Sequence, residues 1–174
     1  MRTIDIDKFT GIRTPFYYYD LDLLHSTLNA MKAAAGEDYV IHYAIKANAN
    51  PTILKAISSY GLGADCVSGG EIKVAIENGF APDRIVFAGV GKSDWEITFA
   101  LENDIECFNV ESIEEMRVIA EIANKLGKIA NICLRINPNV AAHTHANITT
   151  GLAENKFGIS ISDVESVVDE CFSL

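Results

Sequence analysis

The sequence predicts an α/β protein that forms part of a parallel (β/α)8 TIM barrel. Apolar, strand-like runs are expected to start at residues 16, 40, 64, 84, 105 and 129, so consecutive starts lie 20 to 24 residues apart, and a helical pattern follows most of them. This rhythm is typical of repeated strand–helix units and a parallel sheet. A complete barrel needs eight strands in about 250 residues. We therefore expect these 174 residues to hold about six of the eight units.

A doubly wound open sheet would show the same rhythm, but the first predicted turn argues against it. A dinucleotide-binding sheet carries a glycine-rich fingerprint directly after its first strand. The corresponding residues here are Asp20, Leu21 and Asp22, with no glycine among them. The sequence therefore favours the barrel.

Capping residues and apolar periodicity predict the individual elements. Asn50 is suited to an N-cap and Pro51 to the first helical position, while Gly36 and Gly127 are expected to end helices. The expected strands cover residues 16–19, 40–46, 64–68, 84–89, 105–110 and 129–136. The expected helices cover residues 21–35, 52–60, 70–78, 94–102, 111–126 and 162–171, and residues 137–160 are expected to form a long loop.

Lys46 is the first candidate for chemistry because it stands at the end of the second predicted strand. Active sites of parallel barrels lie at the carboxyl ends of the strands. Alternation places Lys46 on the same face as His42 and Ala44, and the small Ala44 leaves room beside it. A desolvated lysine at such a place is a usable amine nucleophile toward carbonyl groups. The alternative is a solvated lysine without a role, which is common at strand ends.

Asp65 and Arg135 are the other two candidates. Asp65 ends the third predicted strand, so it should point into the same mouth as Lys46; the alternative is that it caps the next helix, although Ser68 is better placed for that. Arg135 lies in an apolar strand, where a buried guanidinium needs an anionic partner. Asp65 is a plausible partner. A purely structural ion pair is the alternative role for Arg135.

Three motifs resemble those of the pyridoxal-phosphate-dependent decarboxylases built on an alanine-racemase-like barrel. They are residues 43–48 around Lys46, residues 61–71 around Asp65, and residues 135–138, and they follow one another in the order and at the spacing of that family. Within the family, residues 143–159 resemble the diaminopimelate decarboxylases more than the ornithine or arginine enzymes. The resemblance spans nearly the whole chain.

The resemblance implies both a site and a reaction. Lys46 would hold pyridoxal phosphate covalently, Asp65 would lie near the lysine and the cofactor ring, and Arg135 would lie near the phenolic oxygen or a pocket carboxylate. The implied reaction converts meso-2,6-diaminopimelate into L-lysine and carbon dioxide, in lysine biosynthesis, by a homodimer. The family's phosphate loops, its proton donor and a second, mainly β domain map beyond Leu174. The expected layout is a lead-in at 1–14 and a partial barrel at 15–174, as an N-terminal fragment that is inactive alone.

Several related functions stay open at this point. Another basic amino-acid decarboxylase of the ornithine or arginine type would share all three motifs. A non-catalytic pyridoxal-phosphate carrier also uses a barrel lysine, but residues 135–159 argue against it. A racemase is disfavoured because residues 43–50, followed by Pro51, look more like the decarboxylases.

Composition limits the possible partners. The formal net charge of −10 disfavours nucleic acid and anionic membranes, since both repel an acidic surface. The four cysteines form no Cys-x-x-Cys pair, which favours a reducing cytoplasm and disfavours a metal site. The N-terminus lacks an apolar signal core. We therefore expect a cytoplasmic protein without a nucleic-acid or membrane partner, whereas the small amino-acid substrate is what the family resemblance implies.

Two other patterns imitate known sites. His143 and His145 have a metal-ligand spacing, but two ligands are too few for a zinc site. Residues 89–93 resemble the end of a phosphate-binding P-loop, but the motif needs a glycine where Val86 stands. Neither pattern predicts a function.

Overall fold

A computed structural model describes residues 6–138 and 157–174. In this part of the chain five parallel strands form one sheet with the order β1-β2-β3-β4-β5. A doubly wound sheet reverses its strand order at a switch point, whereas the wall of a barrel is built in chain order. The predicted fold class is therefore confirmed. The strands are His42–Ala44 (β1), Gly63–Cys66 (β2), Ile85–Phe87 (β3), Cys107–Val110 (β4) and Ile132–Leu134 (β5).

The fifth strand resumes after Arg135 as β6 (Ile136–Asn137), which pairs in parallel with β7 (Ile159–Ser160). The amide of Ile159 donates to the carbonyl of Arg135 at 2.7 Å. Gly158 permits this approach, because its φ is +103° and a Cβ there would lie 2.8 Å from the same carbonyl oxygen. The predicted loop at 137–160 is therefore wrong at its end, where a two-residue strand is too short to leave a periodic signal.

The predicted strand at 16–19 is also wrong. These residues have no regular secondary structure, and their side chains are exposed, Tyr17 by 88%. Their rings contact one another and Phe9, which lies 5.4 Å from Phe16 and 5.0 Å from Tyr18 between ring centroids. Strand propensity of aromatic residues reflects packing on a half-buried sheet, and that packing is absent here.

All six predicted helices are present, with ends shifted by at most two residues. Asn50 accepts a hydrogen bond from the amide of Thr52, Pro51 is the first helical residue, and Gly127 ends its helix in the left-handed region. The helices are Leu21–Ala35 (α1), Pro51–Ser58 (α2), Gly69–Glu77 (α3), Asp94–Glu102 (α4), Ile113–Leu126 (α5) and Val164–Cys171 (α6). No helix in the described part combines the length and the apolar character needed to cross a membrane.

Three strand–helix junctions share a Ser-x-x-Glu pattern. In all three, the carboxylate of the glutamate accepts from an amide at or just before the serine. The hydroxyls of Ser68 and Ser112 accept from the amide of the glutamate, whereas the hydroxyl of Ser93 donates to the Glu96 carboxylate at 2.7 Å. The pairs are Ser68 with Glu71, Ser93 with Glu96, and Ser112 with Glu115. This reciprocal capping satisfies amides that a helix leaves unpaired. The amides at or just before the starts of α3, α4 and α5 therefore bind carboxylates of the chain itself.

The core lies between the sheet and the helices. Alternation along β2 turns Ala64 and Cys66, both 0% exposed, toward the helices. Phe87 and Phe108 do the same on β3 and β4, with ring centroids 6.0 Å apart. The opposite, inner face of the sheet carries smaller and polar side chains, and it is this face that holds the candidate site.

Candidate active site

A cavity of about 480 Å³ lies on the inner face of the sheet and extends past the carboxyl ends of its strands. It brings together two of the three predicted site residues, Asp65 and Arg135. Its lining is His42, Asp65, Val86, Ala88, Asn109, Glu111, Cys133, Leu134 and Arg135. A second groove of about 200 Å³ lies beside α5 on the helix side, but Lys128 is its only charged residue. A third pocket of about 270 Å³ is lined by Lys32, Glu37 and Arg84, but it contains none of the predicted site residues.

Asp65 lies on the cavity side of β2 and is partly buried. Ser68, not Asp65, caps α3, since its hydroxyl accepts from the amide of Glu71 at 3.2 Å. Neither a hydrogen bond nor an ion pair joins the Asp65 carboxylate to another described residue. Ala44 is its neighbour in the ladder between β1 and β2, two positions before Lys46. The carboxylate is therefore available for a cationic group near this end of the sheet.

Arg135 pairs with Glu111 and not with Asp65, so the predicted partner is wrong. Nη1 of Arg135 lies 2.8 Å and 3.0 Å from the two carboxylate oxygens. The buried member of the pair is the carboxylate, whose side chain is 5% exposed, whereas the arginine side chain is 54% exposed. A buried carboxylate is costly unless a cation compensates it. Arg135 therefore neutralises Glu111 and still presents donors to the cavity.

Glu111 was missed at the sequence level, although a signal for it existed. It directly follows β4, as Asp65 lies near the end of β2, so the rule that selected Asp65 would also have selected Glu111. Asn109 lies two residues earlier on the same face. The carboxyl ends of β2 and β4 thus contribute two carboxylates to one cavity, and only one of them has a cationic partner among the described residues.

His42 and Glu106 form a polar contact across the inner face, with 2.8 Å between Nε2 and Oε2. His42 belongs to β1 and Glu106 directly precedes β4, so the contact spans the two intervening strands, β2 and β3. The imidazole of His42 packs directly against Gly63, where an added Cβ would lie 2.3 Å from Cδ2 of His42. Glycine is therefore required at this position for the contact to form.

Lys46 lies outside the cavity lining. Strand β1 ends at Ala44, and Lys46 follows in the 3-10 turn Ile45–Ala47, where it is exposed. The expected desolvation of this lysine is therefore not found in the described chain. The turn is held in place, because Tyr19 Oη accepts from Nδ2 of Asn48 at 3.1 Å and Tyr43 donates to the carbonyl of Asn48 at 3.2 Å. Burial raises the pKa of Tyr43, which keeps the phenol protonated as this donor.

Two cysteines meet at the cavity, which their 26-residue separation gave no reason to expect. Sγ of Cys133 lies 3.6 Å from Sγ of Cys107 on the neighbouring strand. Burial, together with the hydrogen bond between the two thiols, raises the pKa of Cys107 to about 12, so it is a neutral thiol. No cluster of three or more potential metal ligands occurs in residues 6–138 and 157–174, and His143 and His145 lie outside these ranges.

The fold agrees with the relationships of the chain to known proteins. Residues 21–173 match the family of pyridoxal-dependent decarboxylases, specifically the pyridoxal binding domain. The chain belongs to this family, its fold is the alanine-racemase-like barrel, and its cofactor is pyridoxal phosphate.

Within this family, the chain is similar to individual diaminopimelate decarboxylases. The chain is 60% identical over 166 residues to diaminopimelate decarboxylase of Bacteroides thetaiotaomicron, covering 94% of this chain and 43% of the relative. It is 50% identical over 154 residues to that of Helicobacter pylori strain J99, covering 88% of this chain and 38% of the relative. It therefore spans about two fifths of the length of these curated relatives.

Solved structures of decarboxylases are also similar to the chain. The Helicobacter pylori diaminopimelate decarboxylase complexed with L-lysine has a TM-score of 0.83 at 45% identity, over 92% of this chain and 41% of that chain. A Vibrio vulnificus lysine/ornithine decarboxylase complexed with putrescine has a TM-score of 0.74 at 18% identity, over 96% of this chain and 40% of that chain. The second likeness shows the shared fold alone.

Proposed function

We propose that this chain supplies the pyridoxal-binding part of an enzyme that decarboxylates meso-2,6-diaminopimelate to L-lysine. The observation that carries the proposal is the 60% identity, across 94% of the chain, to a relative named diaminopimelate decarboxylase. The Helicobacter pylori neighbour is described as a complex with L-lysine, which is the product of this reaction. Ornithine and arginine decarboxylation have less support, because the neighbours with those names are only 18% to 24% identical.

The residues on the inner face fit the ring end of pyridoxal phosphate. When bound, this cofactor supplies an electron sink for the electrons left behind by carbon dioxide. The amine of Lys46 is the proposed attachment point, because Lys46 lies in the turn that follows β1 and within the motif at 43–48 that resembles the lysine motif of the family. A lysine on a flexible stem can reach from the turn toward the adjacent cavity.

Asp65 and Arg135 complete the proposed binding site. The Asp65 carboxylate, without a cationic partner in the described chain, is suited to a positively charged group of the cofactor or the substrate. Arg135 has donors beyond the nitrogen that binds Glu111, and these are suited to an anionic oxygen. Glu111 orients the guanidinium. The carboxylates of Glu71, Glu96 and Glu115 already occupy amides at or just before the starts of α3, α4 and α5, so these amides are not free to bind the phosphate.

We further infer a cytoplasmic homodimer in which residues 15–174 belong to the barrel domain and residues 1–14 form its lead-in. The four cysteines are free, including Cys107 and Cys133 at 3.6 Å, which suits a reducing compartment. Sedimentation analysis of the full-length protein would test the dimer.

Measured carbon dioxide release tests the proposed reaction. The full-length protein, loaded with pyridoxal phosphate, is assayed side by side with meso-diaminopimelate, ornithine, arginine and lysine. We expect a clear preference for diaminopimelate. A preference for ornithine or arginine would overturn the substrate and leave decarboxylation standing, whereas no release from any of the four would overturn the proposed reaction.

A further inference from the structure

Lys92 is a buried cation outside the cavity. Its side chain is 1% exposed, although lysine is rarely buried without a partner. The ammonium donates to the carbonyls of Gly89 at 2.7 Å and Asn109 at 2.9 Å, and to Oε1 of Glu115 at 2.5 Å. An ammonium has three donors, and all three are used here. The P-loop-like stretch at 89–93 thus turns its lysine toward the protein itself and not toward a phosphate.

Glu115 connects this lysine to the backbone next to the candidate site. Its second oxygen, Oε2, accepts from the amide of Glu111 at 2.8 Å. Its own amide donates to the hydroxyl of Ser112 at 3.2 Å, which fixes Glu115 in the first turn of α5. The buried ion pair therefore holds the segment 109–111 at two points, the carbonyl of Asn109 through Lys92 and the amide of Glu111 through Glu115.

The same segment carries polar side chains into the cavity. Asn109 and Glu111 both line it, and Glu111 holds the guanidinium of Arg135. A shift of the backbone at 109–111 would move the carboxylate and, with it, Arg135. The contacts on the two sides of this segment thus join Lys92, on the helix side, to Arg135, on the cavity side.

We propose that Lys92 and Glu115 are positioning residues for the cofactor pocket: their buried ion pair fixes the backbone at 109–111, so that Glu111 aims Arg135 at the bound cofactor. This inference rests on the proposed role of Arg135. It predicts that variants without the ion pair of Lys92 and Glu115 bind the cofactor more weakly, because Arg135 is displaced. If the pair were purely structural, these variants would be less stable but would bind the cofactor as tightly as the wild-type protein.

The test compares full-length variants by two measurements, the thermal midpoint and the dissociation constant of pyridoxal phosphate from absorbance titration. K92M/E115Q removes both charges, which avoids leaving one of them buried and unpaired. E115Q alone is the second variant, since its amide keeps the shape of the carboxylate if the double variant does not fold. K128M is the matched control, because Lys128 also binds a carboxylate, Asp104, and a backbone carbonyl, Leu101, but lies outside the cavity.

We expect K92M/E115Q, or E115Q, to weaken cofactor binding roughly tenfold, the scale of one lost hydrogen bond to a charged group. K128M should lower the midpoint and leave the dissociation constant unchanged. The decisive comparison repeats both variants in an R135M background, where their effect on binding should disappear because residues in one network are not additive.

Two results would overturn the inference: wild-type affinity in a folded Lys92 or Glu115 variant, or an undiminished loss of affinity in the R135M background. The R135M variant alone separates this failure from failure of the site. Wild-type affinity in R135M would refute the role of Arg135 itself, whereas weak binding in R135M with normal binding in E115Q would refute only the positioning role of the buried pair.

Discussion

Removal of the Arg135 guanidinium tests the energetics of the candidate site most sharply. Breaking a fully buried ion pair from one side costs about 3–5 kcal/mol, whereas an exposed pair contributes about 0–1 kcal/mol. The pair of Arg135 and Glu111 lies between these limits, since its side chains are 54% and 5% exposed. We therefore expect Arg135→Met to lower the free energy of unfolding by about 2 kcal/mol, because it leaves a buried carboxylate without its cation.

The Glu111→Gln variant tests whether the buried carboxylate, and not the arginine, is the charge that must be compensated. Glu111→Gln should cost less than Arg135→Met, because the guanidinium that it leaves behind already reaches solvent. The double variant should be more stable than Arg135→Met alone, since the unpaired buried charge is gone. Urea unfolding at pH 7 measures all three, and with a slope of about 2 kcal/mol per molar the expected loss moves the midpoint by about 1 M.

Arg117→Met is a matched control for this cycle. Arg117 contacts both carboxylate oxygens of Glu170, but that glutamate side chain is 29% exposed, against 5% for Glu111. The control should therefore change stability less than Arg135→Met does. A coupling energy between Arg135 and Glu111 below about 0.5 kcal/mol, or a larger loss in the control, would refute the account of Glu111 as a buried, compensated carboxylate.

Three further predictions concern pH, packing and thiol reactivity. Burial alone would raise the pKa of Glu96, but hydrogen bonds donated by two backbone amides and a serine hydroxyl lower it overall. The stability that Glu96 contributes should therefore be present above the usual glutamate pKa of about 4.3 and lost as pH falls below it. Glu96→Gln should make the free energy of unfolding depend less on pH in this range. Gly63→Ala should destabilise the fold by about 1–3 kcal/mol in urea unfolding, since the new methyl meets His42 and a backbone carbonyl. Exposed Cys133 should be alkylated by iodoacetamide at pH 8 well before Cys66, whose pKa burial raises to about 12, and mass spectrometry of the peptides would reveal the opposite order.

The helices and the inner strands were predictable because their signals are local. Capping residues such as Asn50 and Ser68 lie within three residues of the amides that they satisfy, so the sequence itself shows them. The aromatic run at 16–19 is not a strand, because aromatic residues favour a strand only where their rings pack on a sheet, and these side chains are exposed. The short strand Ile159–Ser160 left no periodic pattern.

The site was predictable only where it follows from position along a strand. The place of Asp65 at the cavity was predictable because the carboxyl ends of parallel strands meet at one side of the sheet. The contacts of Glu111 with Arg135 and of His42 with Glu106 join residues that are 24 and 64 positions apart in sequence. Such contacts depend on strand register and on which side chain crosses a glycine, and neither is visible before the sheet is assembled.

The proposed site depends on attachment of the cofactor to Lys46, and borohydride reduction detects that attachment chemically. The full-length protein is loaded with pyridoxal phosphate, reduced, digested and mapped by mass spectrometry, with Lys46→Ala as the control. We expect one pyridoxyl group, on the peptide that contains Lys46, and none on that region in the control. A pyridoxyl group on Lys92 or Lys156 in the wild-type protein, with Lys46 unmodified, would contradict it.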